Sequence, residues 1–222
     1  MRHQNDLEKN NCLYSFFLGT NSYYMYIHFV KPVLDFLGAL ILIPFVLLAI
    51  IVFGPIIYFT DHGSIFYNAP RAGLKCKCFK MFKLRSMYLN APDLRNEDGS
   101  TYNADDDPRV TPIGKFLRKS SIDELPQLIN VLKGDMSLVG PRPTTPEDDQ
   151  DYEKITGDYK DRFKVKPGIT GYAQAYFRNS ISQDEKYHLD AYYANNISFI
   201  LDVKILYNTF VSVLFHKNIY TN

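Results

Sequence analysis

Hydrophobicity in this chain is concentrated in one place. Residues 36–60 (FLGALILIPFVLLAIIVFGPIIYFT) form an uncharged run of about 25 residues, enough to cross the hydrocarbon core of a bilayer as a helix. The run begins too far from the N-terminus and is too long for a signal-peptide core. Pro44 falls near its middle, where a proline removes one backbone hydrogen bond and crowds the preceding turn. Pro55, preceded by Gly54, is a second weak point. Lys31 stands before the run, and Arg71, Lys75, Lys77 and Lys80 follow it, so both flanks are basic and charge does not choose an orientation. A helix that enters, breaks at Pro44 and returns to the same face satisfies both flanks. A straight span is the alternative.

The pattern changes after the run. Residues 67–87 alternate basic and apolar positions, which predicts a strand or a short amphipathic helix facing headgroups or phosphates. Residues 90–107 are polar and acidic and read as a loop. From Ser121 a helix is expected. Ser121 and Glu124 have capping-box spacing, and Leu125, Leu128, Ile129 and Leu132 follow at i, i+3, i+4 and i+7. Lys133 and Gly134 supply its stop, and Pro126 is tolerated in its first turn. Two Gly/Pro loops come next, GPRP at 140–143 and KPGITG at 166–171. A Tyr-rich helical stretch covers 184–216. Within it, 197–215 is apolar apart from Asp202, Lys204 and a few small polar residues, and suits packing on the core or on a membrane. Residues 1–28 are polar and then aromatic, a tail that ends on the interface.

Length and charge narrow the classes. The 222 residues allow one domain with a sizeable core or two small ones. A net charge of +1 gives no global attraction for nucleic acid. Tyr 17 and Phe 16 with Trp 0 suit contact with a lipid interface, although a large aromatic core gives the same count. Three cysteines fit no disulfide framework. Cys76 and Cys78 are too close for a common zinc pair, which points to a reduced, cytosolic setting.

Two acidic groups compete for the chemistry. Asp105, Asp106 and Asp107 could suggest a metal-binding DxD, but a polar loop precedes them where a rigid apolar strand is needed, and Asp107 before Pro108 reads as a turn residue. The pair Asp123 and Glu124 stands at a helix start, where acidic residues are favoured by the macrodipole alone. Its surroundings add a second reading. A helix N-terminus attracts phosphate, and Arg118, Lys119 and Arg142 bracket the same point. Paired carboxylates also suit Mg²⁺ held together with substrate phosphates, or a carboxylate that attacks phosphorus itself.

Long ordered blocks carry a resemblance. FKMFKLRSM (79–87), DPRVTPIGKFLRKSSIDELPQLINVLKGDMSLVGPRP (107–143), KPGITGYAQ (166–174) and DAYYANNISFILDVKIL (190–206) closely resemble the bacterial sugar transferases called monotopic phosphoglycosyl transferases. The likeness runs over about 30–215. It implies an α+β, mostly helical fold: one membrane-embedded domain over 29–222 behind the tail 1–28. That domain would comprise a re-entrant, helix-break-helix membrane segment at 29–60, kinked at Pro44, and an interface-associated catalytic part at 61–222 with interfacial amphipathic helices.

The resemblance also implies an activity: transfer of sugar-1-phosphate from a UDP-sugar to undecaprenyl phosphate, with release of UMP. Asp123 would be the nucleophile, Glu124 its partner in handling the acceptor and Mg²⁺, and Arg118 and Arg142 phosphate ligands. Lys80, Lys83 and Arg85 match the family's basic block. The setting implied is the cytosolic face of a bacterial inner membrane, at the first membrane step of polysaccharide or glycoconjugate assembly, with room for a homodimer. Two departures stand out: Ile43 replaces the usual small polar residue before the membrane proline, and Lys31-Pro32 replaces a basic pair. A UDP-releasing glycosyltransferase and an inactive membrane scaffold are the alternatives.

Overall fold

The computed structural model describes residues 23–94, 102, 104, 106–146, 151–177 and 180–215. Most of the expected N-terminal tail, Asp105 and the C-terminal residues from 216 lie outside the described residues. The apolar run becomes helix α1 (Lys31–Asp61), entered through a π-helical turn at Tyr26–Val30. Turn and helix together are long and apolar enough to cross a membrane. Pro44 and Pro55 both lie inside α1 and the helix continues through them, so the expected break at Pro44 is not an interruption. Ile43 and Val46, on either side of Pro44, pack into the core, and that packing outweighs the lost hydrogen bond.

One stripe of α1 is buried: Lys31, Ala39, Val46, Ala49, Gly54 and Ile57. Its other faces expose Leu40, Ile41, Leu47, Leu48, Ile51 and Phe59. A helix that is apolar all round but buried along one stripe has protein on one side and needs another apolar medium on the rest.

The basic-apolar segment is an antiparallel hairpin of β1 (Phe66–Ala72) and β2 (Cys78–Leu84), in register from Phe66 opposite Leu84 to Ala72 opposite Cys78. Helix α2 (Pro112–Ser120) starts at Thr111, whose hydroxyl accepts from the Gly114 N–H at 2.9 Å. A Cβ on Gly114 would collide with the Ser86 carbonyl, so glycine there lets α2 close on the end of β2. A 3₁₀ turn (Ile122–Glu124) and α3 (Gln127–Leu132) follow.

The single capped helix expected from Ser121 is therefore two pieces. Ser121 lies in the left-handed region (φ 58°), where its N–H closes α2 on Arg118 O, and its side chain makes no cap bond to the next turn. The end of α2 has claimed the residue that the spacing offered to α3. A true capping box stands at Ser182 and Glu185, opening α6 (Gln183–Asn195).

Strand β3 (Ser137–Val139) leads into the GPRP loop. After α4 (Gly157–Asp161) and a 3₁₀ turn (Arg162–Lys164), the KPGITG loop carries β4 (Gly168–Thr170), which pairs parallel with β3. The two Gly/Pro loops thus touch backbone to backbone. Gly140 N–H donates to Thr170 O and Gly168 N–H to Pro141 O, and a Cβ on Gly168 would strike the Gly140 nitrogen. Helices α5 (Tyr172–Tyr176), α6 and α7 (Phe199–Leu214) complete a mostly helical α+β architecture. On α7, Asp202 and Ile205 are buried while Phe199, Ile200, Val203, Tyr207 and Phe210 are exposed, an amphipathic division.

The core follows α1 along its length. Ala39 and Val46 pack with Met81 of β2 and with Leu128 and Val131 of α3, and Ala49 and Ile57 pack with Leu84 and Leu117. Each end of α1 is tied down by charge. Lys31 Nζ lies 2.7 Å from Asp202 Oδ2, and Asp35 accepts from the Ser137 hydroxyl and the Leu138 N–H. At the far end, Asp61 takes both terminal nitrogens of Arg85 at 2.6 Å.

Candidate active site

Asp123 and Glu124 occupy the 3₁₀ turn between α2 and α3. The left-handed Ser121 turns the chain sharply there, so the pair leaves the end of α2 and faces β2 and the GPRP loop. Asp123 is 7 % exposed. Burial pushes its carboxyl up to about 6, with the Glu124 charge adding to the rise and the Lys83 and Arg118 charges opposing it.

Glu124 is held differently. Burial would raise it, but Arg142 and Lys83 outweigh burial and keep it below the usual carboxylate range. Both cations bind one oxygen: Lys83 Nζ is 2.6 Å and Arg142 Nη2 2.9 Å from Glu124 Oε1. Two adjacent carboxyls with their pKa values driven apart are suited to different roles.

Each cation arrives on its own element. Lys83 comes from β2, and the side chain of Asn130 in α3 fixes that strand. Asn130 Oδ1 accepts from the Phe82 N–H at 3.0 Å and its Nδ2 donates to Lys80 O at 2.8 Å, so a fully buried amide pairs with β2 as a third strand would. Arg142 comes from the GPRP loop and is exposed. Arg118, in the last turn of α2, donates from Nε to Ser86 Oγ at 2.9 Å.

The structure thus brings Asp123, Glu124, Lys83, Arg118 and Arg142 together. Lys80 is exposed, and strand alternation puts it on the face of β2 opposite Lys83. Arg85 is placed apart from this group: only 7 % exposed, it is engaged by Asp61, Ser64 O and Ile57 O and fastens the end of α1. Its partner, 24 positions earlier, leaves no local signal in the sequence.

Asp107 is not offered to a metal. It is 1 % exposed and grips Arg109 with both oxygens, at 2.9 Å from Nε and 2.7 Å from Nη2. Among the described residues, no cluster of three or more His, Cys, Asp or Glu is placed to hold an ion. The dyad alone supplies one or two carboxylate oxygens. That fits Mg²⁺, which takes few protein ligands and completes its shell with water and substrate phosphates.

A buried pair went unread in the sequence. Arg162, 3 % exposed, donates to Asp190 Oδ2 from Nη2 at 3.0 Å and to the Arg142 carbonyl at 2.5 Å. Asp190 lies on α6, 28 positions away, and burial raises its carboxyl to about 6 against the pull of Arg162.

Comparison with known proteins gives consistent matches. A family described as Bacterial sugar transferase matches residues 26–216. The galactosyl transferase CpsE of Streptococcus agalactiae serotype III (strain NEM316) is 40% identical over 216 residues, 90% of this chain and 46% of that protein. The uncharacterized sugar transferase EpsL of Bacillus subtilis (strain 168) is 46% identical over 158 residues, 71% of this chain and 73% of EpsL. The undecaprenyl-phosphate galactose phosphotransferase of Salmonella typhimurium (strain LT2) is 39% identical over 165 residues, 69% of this chain and 34% of that protein. The chain therefore spans less than half of the first and the third of these relatives and about three quarters of EpsL.

Proposed function

We propose, from the premise that this chain belongs to the bacterial sugar transferase family, that it moves a sugar-1-phosphate from a UDP-sugar to undecaprenyl phosphate through a covalent intermediate on Asp123. The observation that carries this reading is a buried carboxylate with a raised pKa, set beside a second carboxylate that two cations keep ionised. Relatives named as undecaprenyl-phosphate galactose and glucose phosphotransferases support the lipid acceptor.

In the first half-reaction an Asp123 oxygen attacks the β-phosphorus of the UDP-sugar. The bond from that phosphorus to the bridging oxygen breaks, and UMP leaves with the electron pair. The phosphosugar stays on Asp123 as a mixed anhydride. In the second half, an oxygen of undecaprenyl phosphate attacks the same phosphorus and expels the Asp123 carboxylate. The product is a diphosphate-linked lipid sugar.

At neutral pH a carboxyl with a pKa near 6 is ionised and still more basic than an ordinary aspartate, which favours attack on phosphorus. Glu124, held below the usual range, is a weak proton acceptor. Its part is to orient Lys83 and Arg142, whose charges neutralise the phosphoryl oxygens, with Arg118 the third cation near Asp123. Asp123 and Glu124 would also hold Mg²⁺, which when bound supplies further charge neutralisation at the diphosphate.

The ends of α1 support insertion from one face of the membrane. Lys31 and Asp61, at opposite ends of the helix, are both paired to the same folded body. A straight span would separate those pairs by the roughly 30 Å hydrocarbon core and drag the polar body through it. The exposed face of α7 supports an interfacial position beside α1. The catalytic face is then cytosolic, where UDP-sugars are found.

The test is product identity. Purified protein, undecaprenyl phosphate, Mg²⁺ and a panel of UDP-sugars are incubated and the released nucleotide is identified. UMP is expected. Release of UDP would assign ordinary glycosyl transfer, and absence of turnover with every donor would leave a scaffold.

A further inference from the structure

We infer that Arg162 is a positioning residue, one that aims Arg142 at Glu124 by holding the GPRP backbone from behind. The inference rests on the phosphoglycosyl transfer proposed above. Arg142 is exposed and long, yet its Nη2 meets Glu124 Oε1 at 2.9 Å. An exposed arginine on a loop keeps much of its rotamer freedom unless its backbone is fixed.

The fixing is visible on the other side of the loop. Arg162 Nη2 donates to the Arg142 carbonyl at 2.5 Å while Nη2 and Nε reach Asp190 Oδ2 at 3.0 and 3.3 Å. One planar guanidinium thus joins the loop to α6. The guanidinium is itself clamped by aromatic rings, 4.8 Å from the centroid of Tyr187, 5.2 Å from Phe163 and 5.9 Å from Tyr159. Arg162, Gly73, Pro141, Arg142 and Phe163 also line a small, partly open pocket of about 10 Å³.

The loop is pinned from its start as well. Gly140 and Pro141 share backbone bonds with the KPGITG loop, which follows the 3₁₀ turn bearing Arg162. Arg142 therefore projects from a backbone fixed at three consecutive residues. The arrangement has a chemical use. Lys83 and Arg142 both bind Glu124 Oε1, so a shift of Arg142 changes the charge facing the transferred phosphoryl group without changing the fold.

The test is a double-mutant cycle on UMP release by the full chain, using a UDP-sugar that the unaltered protein turns over. Arg162→Lys keeps the charge facing Asp190 but loses the planar fork. It is expected to lower kcat by about 10²-fold, the cost of a small misplacement at a reacting centre, with little change in KM for the UDP-sugar or in the melting midpoint. In an Arg142→Lys background the same change is expected to cost far less, because the residue it aims has already been altered.

Equal losses in both backgrounds would overturn the inference, and so would wild-type kcat in Arg162→Lys. If Arg162→Lys does not fold, Asp190→Asn replaces it, since that change leaves the guanidinium and its bond to Arg142 in place while weakening its anchor. The same non-additivity with Arg142→Lys is then expected, and additivity refutes the inference. Absence of UMP release by the unaltered protein would instead remove the underlying transferase reading.

Discussion

At neutral pH the Asp123 carboxylate is charged in surroundings that have pushed its pKa to about 6, whereas an unfolded aspartate titrates near 3.9. Between those values the folded state binds more protons than the unfolded one. Stability therefore falls as pH rises through that window and stays lowered above it. Asp123→Asn removes the charge and keeps the shape. We expect it to abolish UMP release while raising stability at pH 7.5 by about 1–3 kcal/mol, read as a higher melting midpoint. In the unaltered protein, turnover should decline as pH drops below about 6 and Asp123 takes up a proton. An Asn variant that melts lower than the parent, or that still turns over, would remove Asp123 from the role given to it.

Among the elements, the join between β2 and α3 rests on one side chain. Asn130 satisfies the Phe82 N–H and the Lys80 carbonyl from within the core, and the strand it fixes delivers Lys83 to Glu124. Asn130→Ala leaves both backbone groups unpaired and should cost about 2–4 kcal/mol of stability, with turnover falling as Lys83 loses its bearing. Urea unfolding and UMP release on the same sample test the two effects together. A variant as stable as the parent would mean that β2 is held by its hairpin partner alone.

How far the elements were legible follows from the range of the forces that set them. The apolar run and the helical spacing from Leu125 to Leu132 are local patterns, and both became helix. Ser121 misled because its spacing to Glu124 is that of a cap, while the preceding helix needed the same residue for its own end. The contact of Arg85 with Asp61 was not legible, because charge in a basic block looks the same whether its partner is a phosphate or a carboxylate. The adjacent carboxyls, Arg118 and Arg142 stand close together in the chain or in a motif that resemblance brings out. Asn130 and Arg162 act through partners 20 to 50 positions away, which no local pattern records.

For the molecule as a whole, α1 and the folded body form one unit: the helix lends a buried stripe to two of the three core clusters and is salt-bridged at both ends. Single cysteines placed before Lys31 and after Asp61 should therefore both be shielded from a membrane-impermeant reagent added outside intact cells, and both should react after permeabilisation. Labelling of one flank alone from outside would establish a true span and defeat the single-face arrangement.

The pairing of Lys31 with Asp202 has a further consequence, for the order of events during synthesis. The two residues are 171 positions apart, so roughly 10–30 s separate them at ordinary rates of translation. During that interval α1 has left the ribosome with Lys31 facing Asp35 at 3.8 Å, and without the closer partner that Asp202 supplies at 2.7 Å. The early helix completes this contact only when α7 arrives to close the body around it. A chain stopped before Asp202 would leave Lys31 with only the longer of its two ion pairs, at the edge of its own core.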